Sequence, residues 1–284
     1  EKQQHFSFEN TSIFAIIIQA VSMGSQKGLI VLCLLHLCVQ SIQGDVNPDV
    51  LARMIQYFAD NVQPKTKDGQ PAQYAFAITV PQAQCTSEQS DIQTVFSREE
   101  AEYVKNFISN GDTCVLCSQT GSESGIVIAT RPNVPRKEHA EHILLYPLGN
   151  SPMNKLLAKT DQNSCIVFYS YNSPCVTKCI ESADNILDGL SDWKNIRKDA
   201  MNVFVFEKIW QKDAWRKDMA KDLMKIQDQV PLYRCNNTNE MECQKCVDQN
   251  TGKVIPFCLP EKKSKFLYFQ KMLLSVIKRW LVNE

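Results

Sequence analysis

The chain has 284 residues, 44% of them hydrophobic, and its 31 lysines and arginines balance 31 aspartates and glutamates. That composition suits one sizeable globular core and excludes a low-complexity or disordered polar chain. A net charge of zero argues against a protein whose affinity rests on bulk neutralisation of phosphate, while leaving room for a local basic face.

Residues 1–22 start at Glu1 rather than methionine and read as translated upstream sequence ahead of a start at Met23. Lys27, the apolar run 28–39 and the small Gly44 then give a signal peptide over 23–44. A signal anchor is the other reading, but the run is short for about 30 Å of hydrocarbon. No later apolar stretch is long enough to span a membrane, so the mature chain is expected to be secreted and soluble. Cleavage removes Glu1, Glu9, Lys2 and Lys27 and leaves the net charge at zero.

In the mature chain, Val50, Leu51, Met54, Ile55 and Phe58 recur at helical spacing over 48–61, and 63–71 is a polar linker. Residues 74–80 predict a first strand. Ser97-Arg98-Glu99-Glu100 has the form of a capping box and predicts a helix through Ser109. Strands follow at 113–118 and 125–130, then a loop over Arg131-Pro132-Asn133-Val134-Pro135 and a short helix opened by His139. The apolar run 165–169 marks a buried strand over 164–171. A helix opening at Pro174 continues through Ile180, Ala183, Ile186, Leu187 and Leu190. A strand at 202–206 and a helix at 212–227 complete an α/β pattern with a partly parallel sheet over 45–230.

Beyond 230 the character changes. Cys235, Cys243, Cys246 and Cys258 make 231–260 a cysteine-rich extension, readable as two disulfides or as a second zinc site; export favours disulfides. Cys114 and Cys117 lack a thioredoxin context and are read as members of structural disulfides. Asn236-Asn237-Thr238 is an N-glycosylation sequon; Asn10-Thr11-Ser12 also matches but precedes the expected start. Residues 261–284 predict a basic amphipathic helix, with Phe266, Phe269, Met272, Leu273, Val276, Ile277 and Trp280 as its apolar stripe. Docking on its own domain is the first reading of that helix, and binding nucleic acid phosphate or an anionic membrane the second.

Two short motifs carry the chemistry. His139-Ala140-Glu141 offers an imidazole and a carboxylate, and Ser173-Pro174-Cys175-Val176-Thr177-Lys178-Cys179 offers two thiols four residues apart, on one face of a helix. One imidazole and two thiolates form a three-ligand zinc site with the fourth position open, as catalytic zinc requires. A thiol at a helix N-terminus ionises more readily, which metal ligation demands. Glu141, two residues from the histidine, is expected not to bind the metal but to move protons. Eight mature cysteines then remain, an even number with 105 pairings. Cys165, in a central apolar strand, also reads as a buried free thiol, which makes the number odd.

These motifs have the order of the zinc deaminase signature, with one extra residue between the cysteines. Tyr169-Ser170-Tyr171-Asn172-Ser173-Pro174-Cys175 resembles the Ser-Trp-Ser-Pro-Cys segment of the AID/APOBEC polynucleotide cytidine deaminases, with Tyr171 taken as standing in for the tryptophan. With its leader, the chain most resembles the secreted AID/APOBEC-like deaminases of ray-finned fishes, over about 74–227. The resemblance implies a cytidine deaminase-like three-layer fold: a five-stranded mixed sheet flanked by helices, here with a cysteine-rich C-terminal extension. It implies Zn2+ on His139, Cys175 and Cys179 between two helix N-termini, Glu141 as the proton carrier, and hydrolysis of cytosine to uracil, plausibly in foreign nucleic acid as part of defence. Substrate is expected to meet aromatic Tyr169, Tyr171 and Trp210, with Asn133 on a sugar. Single-stranded nucleic acid is the expected partner, with free cytosine nucleosides or nucleotides as a variant. A secreted disulfide-rich binding module on the same scaffold is the non-enzymatic alternative.

Overall fold

A computed structural model describes residues 45–119 and 125–261. The expected upstream segment 1–22, the expected signal peptide 23–44 and all but the first residue of the basic helix expected over 261–284 lie outside the described residues. Among the described residues no helix is long and apolar enough to cross a membrane.

Helix α1 (Pro48–Asn61) starts where the Asn47 side chain accepts a hydrogen bond from the Asp49 N–H, with Pro48 in the first turn. The stripe that helical spacing marks, Val50 to Phe58, is the one it buries. Helix α2 (Arg98–Ser109) is capped by Ser97, which accepts from the Glu100 N–H. The Glu100 carboxylate is turned to Ser118 and Gln119 rather than back to the cap.

Seven strands form one sheet: β1 (Ala75–Pro81), β2 (Cys114–Val115), β3 (Val127–Thr130), β4 (Ser164–Asn172), β5 (Met201–Lys208), β6 (Leu232–Asn237) and β7 (Met241–Lys245), in the order β2-β3-β1-β4-β5-β6-β7. β1 runs antiparallel to β3 and β4, whereas β4, β5 and β6 are parallel. The expected five-stranded sheet is therefore corrected to seven. The two added strands come from the cysteine-rich extension, whose β6 pairs with β5 and returns as β7, with Cys235 and Cys243 disulfide-bonded across the hairpin.

Helices cover both faces. Beneath α1 and α2, Phe58 stacks on Phe76 at 3.9 Å and on Phe96 at 5.3 Å, above Tyr74, Val167, Tyr169 and Val205. The opposite face carries α3 (Ala140–Leu145), α4 (Pro152–Ala158), α5 (Leu187–Ile196) and α6 (Met219–Gln227) over Ala75, Ala77, Phe168 and Phe206. The sequence reading lacks α4, although Ser151, Pro152 and Asn154 give it a full capping box. Three layers result.

Two expected helices are broken. After Pro174 only the wide turn Val176–Ile180 is helical, and α5 begins at Leu187. Between them the Ser182 and Asn185 side chains hydrogen-bond to the local backbone, Ser182 accepting from the Asp184 N–H, which offers the chain an alternative to helix. The helix expected over 212–227 is a short turn at Gln211–Asp213 followed by α6, because Asp213 is drawn away to the Val176 N–H at 2.9 Å.

Among the described residues eight cysteines are paired. Cys165 is not a free thiol but is bonded to Cys85, Cys114 is bonded to Cys117, and Cys246 is bonded to Cys258. With Cys235–Cys243, this overturns a second zinc site in the extension. Cys175 and Cys179 are the free pair among the described residues.

Candidate active site

The ends of β1 and β4, the N-terminus of α3 and the loop after β5 meet on the face that α3 to α6 cover. His139 is the N-cap of α3 in extended backbone conformation, and Cys175 is the N-cap of the turn Val176–Ile180. Their side chains converge with Cys179. The two sulfurs are 3.8 Å apart, and His139 Nδ1 lies 3.1 Å from Cys179 Sγ and 3.6 Å from Cys175 Sγ. All three donor atoms fall within 4.8 Å of one another.

A tetrahedral ion with metal–sulfur bonds of about 2.3 Å and a metal–nitrogen bond of about 2.05 Å requires sulfurs about 3.8 Å apart and sulfur–nitrogen distances of about 3.6 Å. Two of the three separations match, and the Cys179–His139 approach is tighter. The donor set fits a metal ion, with Nδ1 the ligating nitrogen. Without a metal the three donors share hydrogen bonds, which push their pKa values apart. A hydrogen bond from Cys179 pushes the Cys175 thiol down to about 4, aided by His139. Cys179 is pushed up by that shared hydrogen bond and by burial. His139 is raised, chiefly by its bond to Cys175. His142 is the neighbouring imidazole but is engaged elsewhere, with Glu138 at 3.1 Å and Asp184 at 2.7 Å.

Glu141, in the first turn of α3, is 2% exposed. Burial raises its pKa, opposed first by the Ser170 hydroxyl, which donates to Oε1 at 2.6 Å. Glu141 and His139 open onto a cavity of about 180 Å³ that is also lined by Gln73, Pro132, Asn172, Ser173, Cys175 and Trp210. This is below the roughly 300–1,000 Å³ of sites for drug-sized ligands, and suits a single small ring.

The residues expected to touch substrate separate by strand parity. Trp210 lines the cavity, its N–H held by the Ser173 hydroxyl at 2.9 Å. Tyr169 does not reach it. Successive side chains of a strand point to opposite faces, and Tyr169 lies buried under α1 and α2 with its hydroxyl on Glu207 at 2.9 Å. Tyr171 shares that parity and packs on the same side. Counted back from Ser173-Pro174-Cys175, the tryptophan position of the resembling segment is Asn172 rather than Tyr171, and Asn172 lines the cavity. Asn133 closes its own loop, pairing with Glu138 and accepting from the Arg136 N–H at 3.2 Å, while its neighbour Pro132 borders the cavity. Gln73 is absent from the sequence reading, and Ser170, Asn172 and Ser173 enter it only as members of the motifs, not as site residues. Their signal is a run of polar side chains at the ends of two apolar strands.

The loops that supply Pro132 and Trp210 are basic. Arg136, Lys137, Lys212 and Lys217 are exposed on them and Arg131 is half-buried, and among the described residues none has an ion pair. Arg216, by contrast, is held by Glu181 and Asp222.

The family model described as Secreted Novel AID/APOBEC-like Deaminase 1 matches residues 48–262, from the start of α1 through the disulfide-bonded extension. No curated protein and no solved structure matches the chain.

Proposed function

The chain belongs to this family of AID/APOBEC-like deaminases, and from that premise we propose that it is an exported zinc enzyme converting cytosine to uracil in single-stranded nucleic acid. The observation that carries the reading is the buried carboxylate of Glu141 beside three converging metal donors, on a cavity sized for one ring. A purely structural metal site has no use for that carboxylate.

Zinc would be held by His139, Cys175 and Cys179, and bound there it would supply Lewis acidity that lowers the pKa of a water from about 15.7 to about 7. Ser170 occupies Glu141 Oε1. Oε2 is left to take a proton from water and deliver it to the amino nitrogen of the ring. Water adds at the ring carbon, ammonia leaves, and a carbonyl replaces the amine. Ser173 holds the Trp210 backbone at the cavity wall, and the indole is placed to stack on the base. The unpaired cations on the two bordering loops favour a polynucleotide over a free nucleoside, despite the neutral chain, because phosphate contacts are local.

Four disulfides and the family's description support export, with residues 23–44 as signal peptide and the half-buried Asn236 of the hairpin sequon as a glycan acceptor. Outside the cell such an enzyme meets foreign nucleic acid, which suits a defence role.

The test is uracil formation by purified protein on single-stranded DNA, RNA and free cytidine, beside Glu141→Ala, with zinc counted per chain. Glu141-dependent uracil in a polynucleotide is the expected result. Turnover of cytidine alone would replace the substrate class, and zinc-loaded protein inert on all three would overturn the enzyme reading.

A further inference from the structure

Gln73 stands two residues ahead of β1 and directly opposite Asn172. The β1–β4 register sets Ala75 against Ser170 and Phe76 against Tyr169, and the Tyr171 N–H donating to the Tyr74 carbonyl at 3.1 Å carries it outward. One step further pairs Gln73 with Asn172. Opposed residues share a face with their diagonal neighbours, so Gln73 joins Asn172 and Ser170 on the side of the metal donors.

Three bonds hold its amide. Oε1 accepts from the Asn172 backbone N–H at 2.9 Å and from Asn172 Nδ2 at 2.7 Å, while Nε2 donates to Ser170 Oγ at 2.9 Å. A backbone N–H can only donate, so the group facing it must be the oxygen, and the sense of the amide is fixed. Ser170, accepting from Gln73, spends its own hydrogen on Glu141 at 2.6 Å. A primary amide has two donor hydrogens and two lone pairs. Both lone pairs and one hydrogen of Gln73 are committed. One Nε2 hydrogen remains, on a side chain that lines the cavity with Glu141.

We propose that Gln73 is a specificity-determining residue of the active site, donating its remaining Nε2 hydrogen to the ring carbonyl of the pyrimidine undergoing deamination. The inference rests on the deaminase reading above and sharpens it. Cytosine has a ring carbonyl for this donor and adenine has none, so the amide selects a pyrimidine. Asn172 orients the amide, and Ser170 couples its position to Glu141.

The experiment measures kcat and KM of full-length zinc-loaded protein, Gln73→Leu and Gln73→Glu, on single-stranded DNA carrying one cytosine or one 2-thiocytosine. Sulfur is a weak acceptor, so wild type is expected to prefer cytosine, by about ten- to a hundredfold in kcat/KM for one buried hydrogen bond. Both variants are expected to lose a similar factor on cytosine and little on 2-thiocytosine. Gln73→Glu keeps an oxygen for Asn172 if the leucine variant folds poorly, but like leucine it also loses the donor to Ser170, so the contact is read from the difference between the two substrates. Equal wild-type rates on the two substrates overturn the contact whatever the variants do. Equal losses by the variants on both substrates overturn it too, leaving Gln73 to act only through Ser170. Wild type inactive on every cytosine substrate sinks the deaminase reading and this inference with it.

Discussion

Removing the Cys85–Cys165 disulfide is expected to cost more stability than removing any other. It ties the segment after β1 to the central strand β4 across a separation of 80 residues, and both cysteines are fully buried. The chain-entropy relation gives about 4.5 kcal/mol at 25 °C for a closed loop of that length. Separations of 3, 8 and 12 residues give about 1.6, 2.5 and 2.8 kcal/mol for Cys114–Cys117, Cys235–Cys243 and Cys246–Cys258. A typical domain has only about 5–15 kcal/mol in all, so the double variant Cys85→Ala/Cys165→Ala should sit near the edge of folding. The assay is urea unfolding of that variant beside Cys246→Ala/Cys258→Ala, compared at equal slope so that the midpoints report stability. Two cavities left by the removed sulfurs add to the loss in both proteins and do not change the ranking. A smaller drop for the 85–165 pair than for the 246–258 pair would refute the loop-entropy argument. Below the melting range the surviving folded protein should turn over normally, since neither Cys85 nor Cys165 lines the cavity.

The remaining predictions concern the active site. Glu141→Gln should lower turnover by about 10²–10⁴-fold with zinc retained, and in chelator-treated protein it should raise the melting temperature at pH 8. The sign follows from burial: the folded-state pKa of Glu141 lies above its unfolded value, so the penalty is absent below the unfolded pKa and grows as pH rises through the folded one. A variant no more stable than wild type at pH 8 contradicts this. Ser170→Ala removes the hydrogen bond that holds Glu141 down, so the acid limb of kcat/KM should move to higher pH; an unmoved limb would show that the hydroxyl does not tune the carboxylate. In a Glu141→Ala background, alanine at Arg136, Lys137 or Lys212 should each reduce the slope of log affinity for single-stranded DNA against log salt by about 0.7 per lost phosphate contact. Slopes unchanged in all three variants would move the polynucleotide to another face.

The metal donors were legible because their spacing is local: a histidine and a glutamate two apart, and two cysteines four apart after a proline. The carbonyl-reading amide was not, because Gln73 meets Asn172, 99 residues further along the chain, only through the pairing of two strands. Periodicity also gave no clue to which face of β4 is functional. Val167 and Tyr169 enter one apolar layer and Ile166 and Phe168 the other, so both parities of the strand are hydrophobic, as expected of a strand buried on both sides. Aromatic character then pointed to Tyr169 and Tyr171, the wrong parity. A one-residue change of parity moves every side chain to the opposite face, so those tyrosines and the active site are separated by the sheet itself. The polar residues carried the information: Ser170 and Asn172, two apart at the end of a strand that is otherwise apolar, have no reason to face a hydrophobic layer. Ser170 bonds Gln73 and Glu141, and Asn172 bonds Gln73, where two inner strands end, which is why the polar parity, and not the aromatic one, marks the catalytic face.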